Sequence, residues 1–211
     1  MTNLGNAYPT PRPPLVKFVP VLFFFLGGYF CFHHAYFTFI YQYALFILLL
    51  TLVTLLYDRN LLTAPRLFAL PSRRREMGVL AAAFGVLVGV QFLLSKFIKA
   101  PLIYGFYGAS STLSGGEIML VLLLVVIPFE EVFFRGYLQY HLSHMMGRKA
   151  GFVCSSLLFG LFFAMAGGKW TFAAFLLTGF FFGYLYLRTS SVVLVAALRS
   201  FLVLLSGLLT F

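Results

Sequence analysis

Charged side chains are scarce in this sequence, and acidic ones are the scarcest. Of 211 residues, five are Asp or Glu and fifteen are Lys or Arg, so that 9% are charged and 62% are hydrophobic. Soluble domains are usually about 25% charged and about 45–50% apolar. So few charges cannot cover a soluble fold of this size. The composition therefore excludes secreted, cytosolic and disordered proteins and predicts an integral membrane protein.

Cysteine is also rare, with only Cys31 and Cys154 in the chain. Both lie in apolar stretches and neither belongs to a CxxC or zinc-type spacing, so we expect small buried side chains and no metal or cofactor. The formal charge of +10 does not predict a nucleic-acid partner, because the basic residues flank apolar runs instead of forming a basic face. The Pro-rich start, residues 8–14, shows no cleavable signal.

Long uncharged runs predict an all-α membrane protein with about seven transmembrane helices. A spanning helix needs about 20 mostly apolar residues, and residues 18–57 contain no charge at all, which is enough for two helices with a turn near residues 33–36. The third run covers residues 78–95, and the fourth starts at residue 118 and continues past Arg135. The last three runs are residues 150–168, 170–187 and 189–211.

The basic residues predict the orientation of this bundle. If the N-terminus is cytoplasmic, the outer segments contain three basic residues and the inner segments ten, as the positive-inside rule requires. We therefore expect a cytoplasmic segment 1–17 and a cytoplasmic basic loop 58–77 that contacts anionic headgroups, in a bacterial inner membrane. The ten inner residues are Arg12, Lys17, Arg59, Arg66, Arg73, Arg74, Arg75, Arg148, Lys149 and Arg188.

Four ionisable residues fall inside the apolar runs: Glu130, Glu131, Arg135 and Arg199. Such groups cost about 2.5–3.5 kcal/mol each in a membrane and are candidates for function. Glu131 and Arg135 are four positions apart and can pair on one helix face. Glu130 is rotated by about 100° from Glu131 and remains available, as a general base must be. Pro128 is expected to bend the helix just before these residues.

The run Glu130-Glu131-Val-Phe-Phe-Arg135 resembles the first motif of the CPBP family, which includes CAAX prenyl proteases of the Rce1 type and bacteriocin-processing or immunity proteins. Residues 155–160 resemble the start of the second motif, and residues 179–191 the approach to the third. The resemblance covers about residues 118–203. It implies a CPBP-like helical bundle over residues 117–211, preceded by N-terminal helices in residues 18–116, and endopeptidase activity in which Glu130 activates water.

The chain departs from the family pattern at three polar positions. The second motif is Phe-x-x-x-His, and here Phe159 is kept while Phe163 stands at the histidine position. The third motif supplies another histidine and an asparagine, and Arg199 and Val203 stand there. Only Glu130, Glu131 and Arg135 carry over as catalytic candidates. The histidines that the chain does contain are expected at the membrane surfaces, namely His33, His34, His141 and His144.

These departures favour a catalytically degenerate relative that acts as a membrane scaffold or partner-binding subunit. If helix seven packs on helix four, Arg199 approaches Glu130 and the four charges form a structural ion cluster. Catalysis depends on a positioned set of groups, and loss of members is costly. The alternative is an active glutamate-type intramembrane endopeptidase that cleaves a membrane-anchored peptide. A transporter or proton relay ranks last, because there is no second acidic helix.

Overall fold

The structure is a computed structural model that describes residues 18–34, 38–58, 61, 78, 81–82, 84–89 and 114–208. Every element formed by these residues is helical, which confirms the all-α prediction for this part of the chain. The segment 1–17, most of the basic loop 58–77 and much of the third predicted span lie outside the described residues. The division into residues 1–17, 18–116 and 117–211 stays a prediction.

The described residues form five helices of at least fifteen residues, and residues 84–89 are helical as well. We number the five α1 (Val19–His33), α2 (Phe39–Tyr57), α3 (residues 115–146), α4 (Arg148–Thr189) and α5 (Val192–Leu208). Helix α3 is continuous but changes its winding along its length, and α4 reverses direction. The consecutive stretches of α3 are Gly115–Val121, Leu122–Val126, Ile127–Glu131, Val132–Gln139 and Tyr140–Met146.

Helices α1 and α2 form a hairpin at the N-terminal side of the described chain. The last carbonyls of a helix lack partners within the helix, and the Gln42 side-chain amide of α2 donates to one of them. Its Nε2 lies 2.6 Å from the backbone oxygen of His34. Gly27 and Gly28 allow helix α1 to approach its neighbours closely. The rings of Phe46 and Phe162 occupy the space that a Cβ would need at these two positions.

Helix α3 contains two π-helical stretches, Leu122–Val126 and Val132–Gln139, on either side of the α-helical stretch Ile127–Glu131. Pro128 has no backbone N–H, and its ring clashes with the preceding helical turn in regular α-helix geometry. The wider turn before it is closed by Ile127, whose N–H bonds to the oxygen of Leu122 five residues earlier. The helix is thus widened in the turn before the proline, and the bend itself stays a prediction.

Helix α4 folds back on itself as two antiparallel arms. A straight helix of its 42 residues would be about 60 Å long. Its two ends nevertheless meet, because Arg148 Nη2 donates to the oxygen of Leu187 at 2.7 Å. Midway, Ser156 Oγ donates to the oxygen of Gly179 at 3.1 Å. The two arms, Arg148–Met165 and Thr171–Thr189, correspond to the fifth and sixth predicted helices.

An aromatic layer, formed by Phe24, Phe162, Phe163 and Phe175, lies between α1 and α4 and also contacts α2 and α3. The Phe24 and Phe162 rings stack with centroids 3.8 Å apart, and Phe163 and Phe175 stack at the same distance. All four of these side chains are fully buried. Phenylalanine-rich spans therefore pack by ring contact in the interior, as well as providing surface for lipid.

Large apolar side chains also cover the outside of the bundle, and several leucines are more than 60% exposed, including Leu26, Leu56 and Leu124. A lipid environment makes this exposure favourable. Three helices are long and apolar enough to cross a membrane, and two apolar helices are shorter, Val19–His33 and Val192–Gly207. The described residues thus show three candidate spans, and seven stays a prediction. The three are Phe39–Tyr57, Arg148–Met165 and Thr171–Thr189.

Candidate functional site

Four charged side chains meet inside the bundle between α3 and α5. Glu130, Glu131 and Arg135 come from α3 and Arg199 from α5, and none is more than 1% exposed. Two carboxylates and two guanidinium groups balance one another in charge. We call these four residues the charged cluster.

Arg199 bridges both glutamates of the cluster. Its Nη2 forms an ion pair with Glu130 Oε2, and its Nη1 donates to Glu131 Oε1 at 2.7 Å. The planar guanidinium presents parallel N–H groups, so one side chain can bind two neighbouring carboxylates. The sequence led us to expect Arg199 beside Glu130. The structure places it against Glu131 as well, so the two helices are joined through both acids.

Arg135 binds the other side of Glu131 and also reaches α4. Its Nε donates to Glu131 Oε2 at 3.2 Å, in the i,i+4 geometry that their spacing predicts. Its Nη1 donates to Gln139 Oε1 at 3.2 Å, and its Nη2 to the backbone oxygen of Gly179 at 3.1 Å. Arg135 therefore links α3 to the second arm of α4.

Gln139 extends this polar contact by one helical turn. Its Nε2 donates to the backbone oxygen of Gly183 at 3.0 Å. A Cβ at Gly183 would lie 3.0 Å from the Phe152 ring and from Ser156 Oγ, so the first arm of α4 packs closely there. Small residues at membrane helix interfaces permit such close approach. Gly179 and Gly183 thus let the two arms of α4 pack closely, and their carbonyls accept hydrogen bonds from side chains of α3.

Tyr43 brings a polar group to the cluster from α2. Its hydroxyl donates to Glu130 Oε1 at 2.5 Å, and the tyrosine is fully buried. The sequence interpretation did not include this residue. Tyr43 is one of twelve tyrosines and lies in a long apolar run, so no spacing singled it out. Gln139, by contrast, follows Arg135 by four positions and could have been found from helical periodicity.

The Phe159 ring contacts both arginines of the cluster. The guanidinium carbon of Arg199 lies 5.0 Å from the centroid of this ring, and that of Arg135 lies 5.5 Å from it. The face of an aromatic ring attracts a cation at this distance. Phe159 is the residue of the second motif that this chain keeps, and here it packs against both positive charges.

The positions at which the resemblance places histidine and asparagine are apolar or charged here. Phe163 is fully buried and stacks on Phe175, and Val203 is fully buried as well.

The histidines of the chain lie away from these positions. The ring of His141 lies 3.3 Å from Asp58 Oδ2, near the ends of α3 and α2. The rings of His33 and His144 bond to backbone oxygens four residues earlier, of Tyr29 and Tyr140 respectively.

The geometry constrains what the glutamates can do chemically. A general base must accept a proton from a water molecule within hydrogen-bond reach. Here each of the four carboxylate oxygens of Glu130 and Glu131 already faces a donor of Tyr43, Arg135 or Arg199. Within the described part of the chain, no group of three His, Cys, Asp or Glu side chains could hold a metal ion. The arrangement is suited to joining helices.

Part of the chain matches a known protein family. Residues 116–205 match the family described as type II CAAX prenyl endopeptidase Rce1-like. The matched region contains the whole charged cluster and both arms of α4, whereas α1 and α2 lie outside it. No curated protein and no solved structure matches the chain.

Proposed function

From the membership of residues 116–205 in the Rce1-like family, we propose that this membrane protein uses its motif glutamates to hold helices together instead of hydrolysing peptide bonds. Its role is that of a membrane scaffold or a subunit that binds another membrane protein. The observation that carries this proposal is the position of Arg199. It stands where the resemblance places a histidine, and it binds both Glu130 and Glu131.

The apolar replacements support the same function. Phe163 and Val203 are both fully buried, so neither position offers a polar group to a substrate or to water. Catalytic groups act as a unit, and removing one member often costs nearly as much as removing all. A chain that lacks three of the polar positions is therefore expected to retain little of the activity.

A proteolysis assay on the full chain tests the proposal. The protein in liposomes is mixed with a lipid-anchored CAAX peptide, with an active CAAX endopeptidase as the positive control. We expect no cleavage above background, and the same result for Glu130→Gln. Cleavage by the unmodified chain that Glu130→Gln abolishes would instead establish the alternative, an active glutamate-type endopeptidase.

We further propose a seven-helix topology in a bacterial cytoplasmic membrane, with the N-terminus and loop 58–77 on the cytoplasmic side. The excess of basic residues in the inner segments supports it. The end of α2 lies beside the end of α3 through Asp58 and His141, and the two ends of α4 meet through Arg148. These ends share one side of the bundle, as this topology requires.

Cysteine labelling tests the orientation. In a chain with Cys31→Ala and Cys154→Ala, the variant Arg74→Cys should react with a membrane-impermeant maleimide only after the cells are opened. Labelling of intact spheroplasts at this position would reverse the proposed topology.

A further inference from the structure

We infer that Tyr43 is a positioning residue that holds the Glu130 carboxylate in the orientation in which it binds Arg199. Tyr43 lies on α2, outside residues 116–205, so this role does not come from the matched family region. The inference goes beyond the proposed function, because it holds whether or not the charged cluster is catalytically silent.

The Tyr43 hydroxyl is held in place by the packing of its ring. The ring stacks on Phe39 with a centroid distance of 5.8 Å and an interplanar angle of 13°. It also stacks on Phe32 at 6.0 Å, and it meets Phe46 at 6.2 Å. A ring packed on several sides keeps one rotamer. The hydroxyl therefore points at Glu130 Oε1 from a fixed position, 2.5 Å away.

Glu130 needs two donors to fix the plane of its carboxylate. The terminal torsion of a glutamate side chain is broad, so a single contact leaves the group free to rotate. Tyr43 binds Oε1 and Arg199 binds Oε2, so the two oxygens are held from two different helices. Loss of the hydroxyl would leave Glu130 Oε1 buried without this donor, and the carboxylate could then rotate about its terminal torsion.

The position of Tyr43 relative to the family motif adds a second argument. Its ring meets Phe163 edge-on, with centroids 6.4 Å apart and an interplanar angle of 61°. Phe163 stands where the second motif would have histidine, so helix α4 offers a phenyl ring there. Helix α2 supplies the polar group next to that ring. Tyr43 thus gives Glu130 a neutral donor from outside the motif.

The contact also fastens the α1–α2 hairpin to the matched region. Tyr43 meets Glu130, and fifteen residues later Asp58 meets His141, which lies eleven residues beyond Glu130. Helices α2 and α3 therefore run in the same direction and share two polar contacts. Of these two, only the Tyr43 contact is fully buried.

Thermal unfolding of the full chain in detergent gives the first test. Tyr43→Phe keeps the ring and removes only the hydroxyl, and we expect the midpoint to fall by roughly 3–12 °C. Tyr41→Phe is the matched control, since Tyr41 lies on the same helix and is 46% exposed. Its midpoint should stay within about 2 °C of the unmodified chain. Equal midpoints for the two variants would overturn the inference.

Infrared spectroscopy gives a readout that a packing role would not move. The difference between the unmodified chain and Glu130→Gln isolates the carboxylate stretch of Glu130. Tyr43→Phe should shift this band, because one oxygen loses its donor. A band that stays in place would overturn the positioning role even if the midpoint falls.

A double variant that lacks the ion pair tests whether the Tyr43 hydroxyl acts through Glu130. In Glu130→Leu/Arg199→Leu the Tyr43 hydroxyl has lost its carboxylate, so adding Tyr43→Phe should leave the midpoint unchanged or raise it. A fall as large as in the unmodified chain, or a failure to fold in both backgrounds, would show that the hydroxyl acts independently of Glu130 and would overturn the inference. These outcomes are independent of the proteolysis assay, so failure of the proposed function remains distinguishable.

Discussion

The charged cluster and the aromatic layer lie in the same bundle and are equally buried, but they are held together differently. Phe162 stacks on Phe24 and meets the rings of Phe32 and Phe163 at 5.2 Å each, contacts that have no fixed donor or acceptor. Each carboxylate oxygen of Glu131, in contrast, accepts a hydrogen bond from one arginine: Oε2 from Arg135 and Oε1 from Arg199. A ring that loses one neighbour retains others, whereas a charge that loses its partner is left in the apolar interior.

This difference predicts how each region responds to substitution. A packed layer can shift by small amounts and share the strain among several rings. A buried ion pair is costly to break and is often neutral to replace as a whole. We therefore expect coupled effects within the charged cluster and graded effects within the aromatic layer.

The largest effect is expected from breaking the contact between α3 and α5. Arg199→Leu removes the donors to Glu130 and Glu131 and should destabilise the protein by about 3–5 kcal/mol. Glu130→Gln alone should also destabilise it, because Arg199 then lacks one counter-ion. The double variant should recover much of the loss. Thermal unfolding of the four proteins in detergent measures the coupling, and additive effects would contradict the pairing.

A smaller effect is expected from Arg135→Ala, because Glu131 then keeps Arg199 as a partner. We expect a loss of about 3 kcal/mol and less folded protein in membranes, since the contacts to Gln139 and Gly179 disappear with the guanidinium. The control is Arg188→Ala on α4, an exposed arginine that contacts the Tyr184 hydroxyl. Equal abundance and stability of the two variants would show that burial of Arg135 does not matter.

The aromatic layer should respond more weakly and through steric strain. The Phe162 ring occupies the space that a Cβ would need at Gly28, so Gly28→Ala must displace a fully buried ring. Overpacking of this kind usually costs about 1–3 kcal/mol. No atom lies within 4 Å of a Cβ at Gly116, so Gly116→Ala is the matched control. An unchanged unfolding midpoint for Gly28→Ala would mean that the layer adapts freely.

The smallest effect on stability is expected from Glu117, whose carboxylate is exposed, unlike the buried carboxylates of the charged cluster. Glu117 accepts hydrogen bonds from the backbone and hydroxyl of Ser114, and these lower its pKa below 4.5. Its contribution to the N-terminus of α3 is therefore fully present above about pH 4.5 and is lost as the pH falls through the lowered pKa. The stability difference between the unmodified chain and Glu117→Gln should shrink on acidification, and a constant difference from pH 6 to pH 3 would exclude this cap.

Local patterns in the sequence predicted a substantial part of the molecule. The i,i+4 spacing of Glu131 and Arg135 predicted their contact, since it depends only on helix geometry. The uncharged runs 150–168 and 170–187 predicted the two arms of α4, and the apolar composition predicted side chains that lipid can cover. The resemblance of the motif residues predicted the Rce1-like family, which the match over residues 116–205 confirms.

The sequence by itself determined the helical class, the membrane character and the contacts between residues one turn apart, because these follow from composition and from the helical period. Only the tertiary structure decided that Arg199 bridges two carboxylates and that Tyr43 donates to Glu130 from 87 positions away. Such contacts depend on which helix faces meet. That choice is made by packing of the whole bundle, where the rings of Phe24, Phe159 and Phe162 fix the distances between helices.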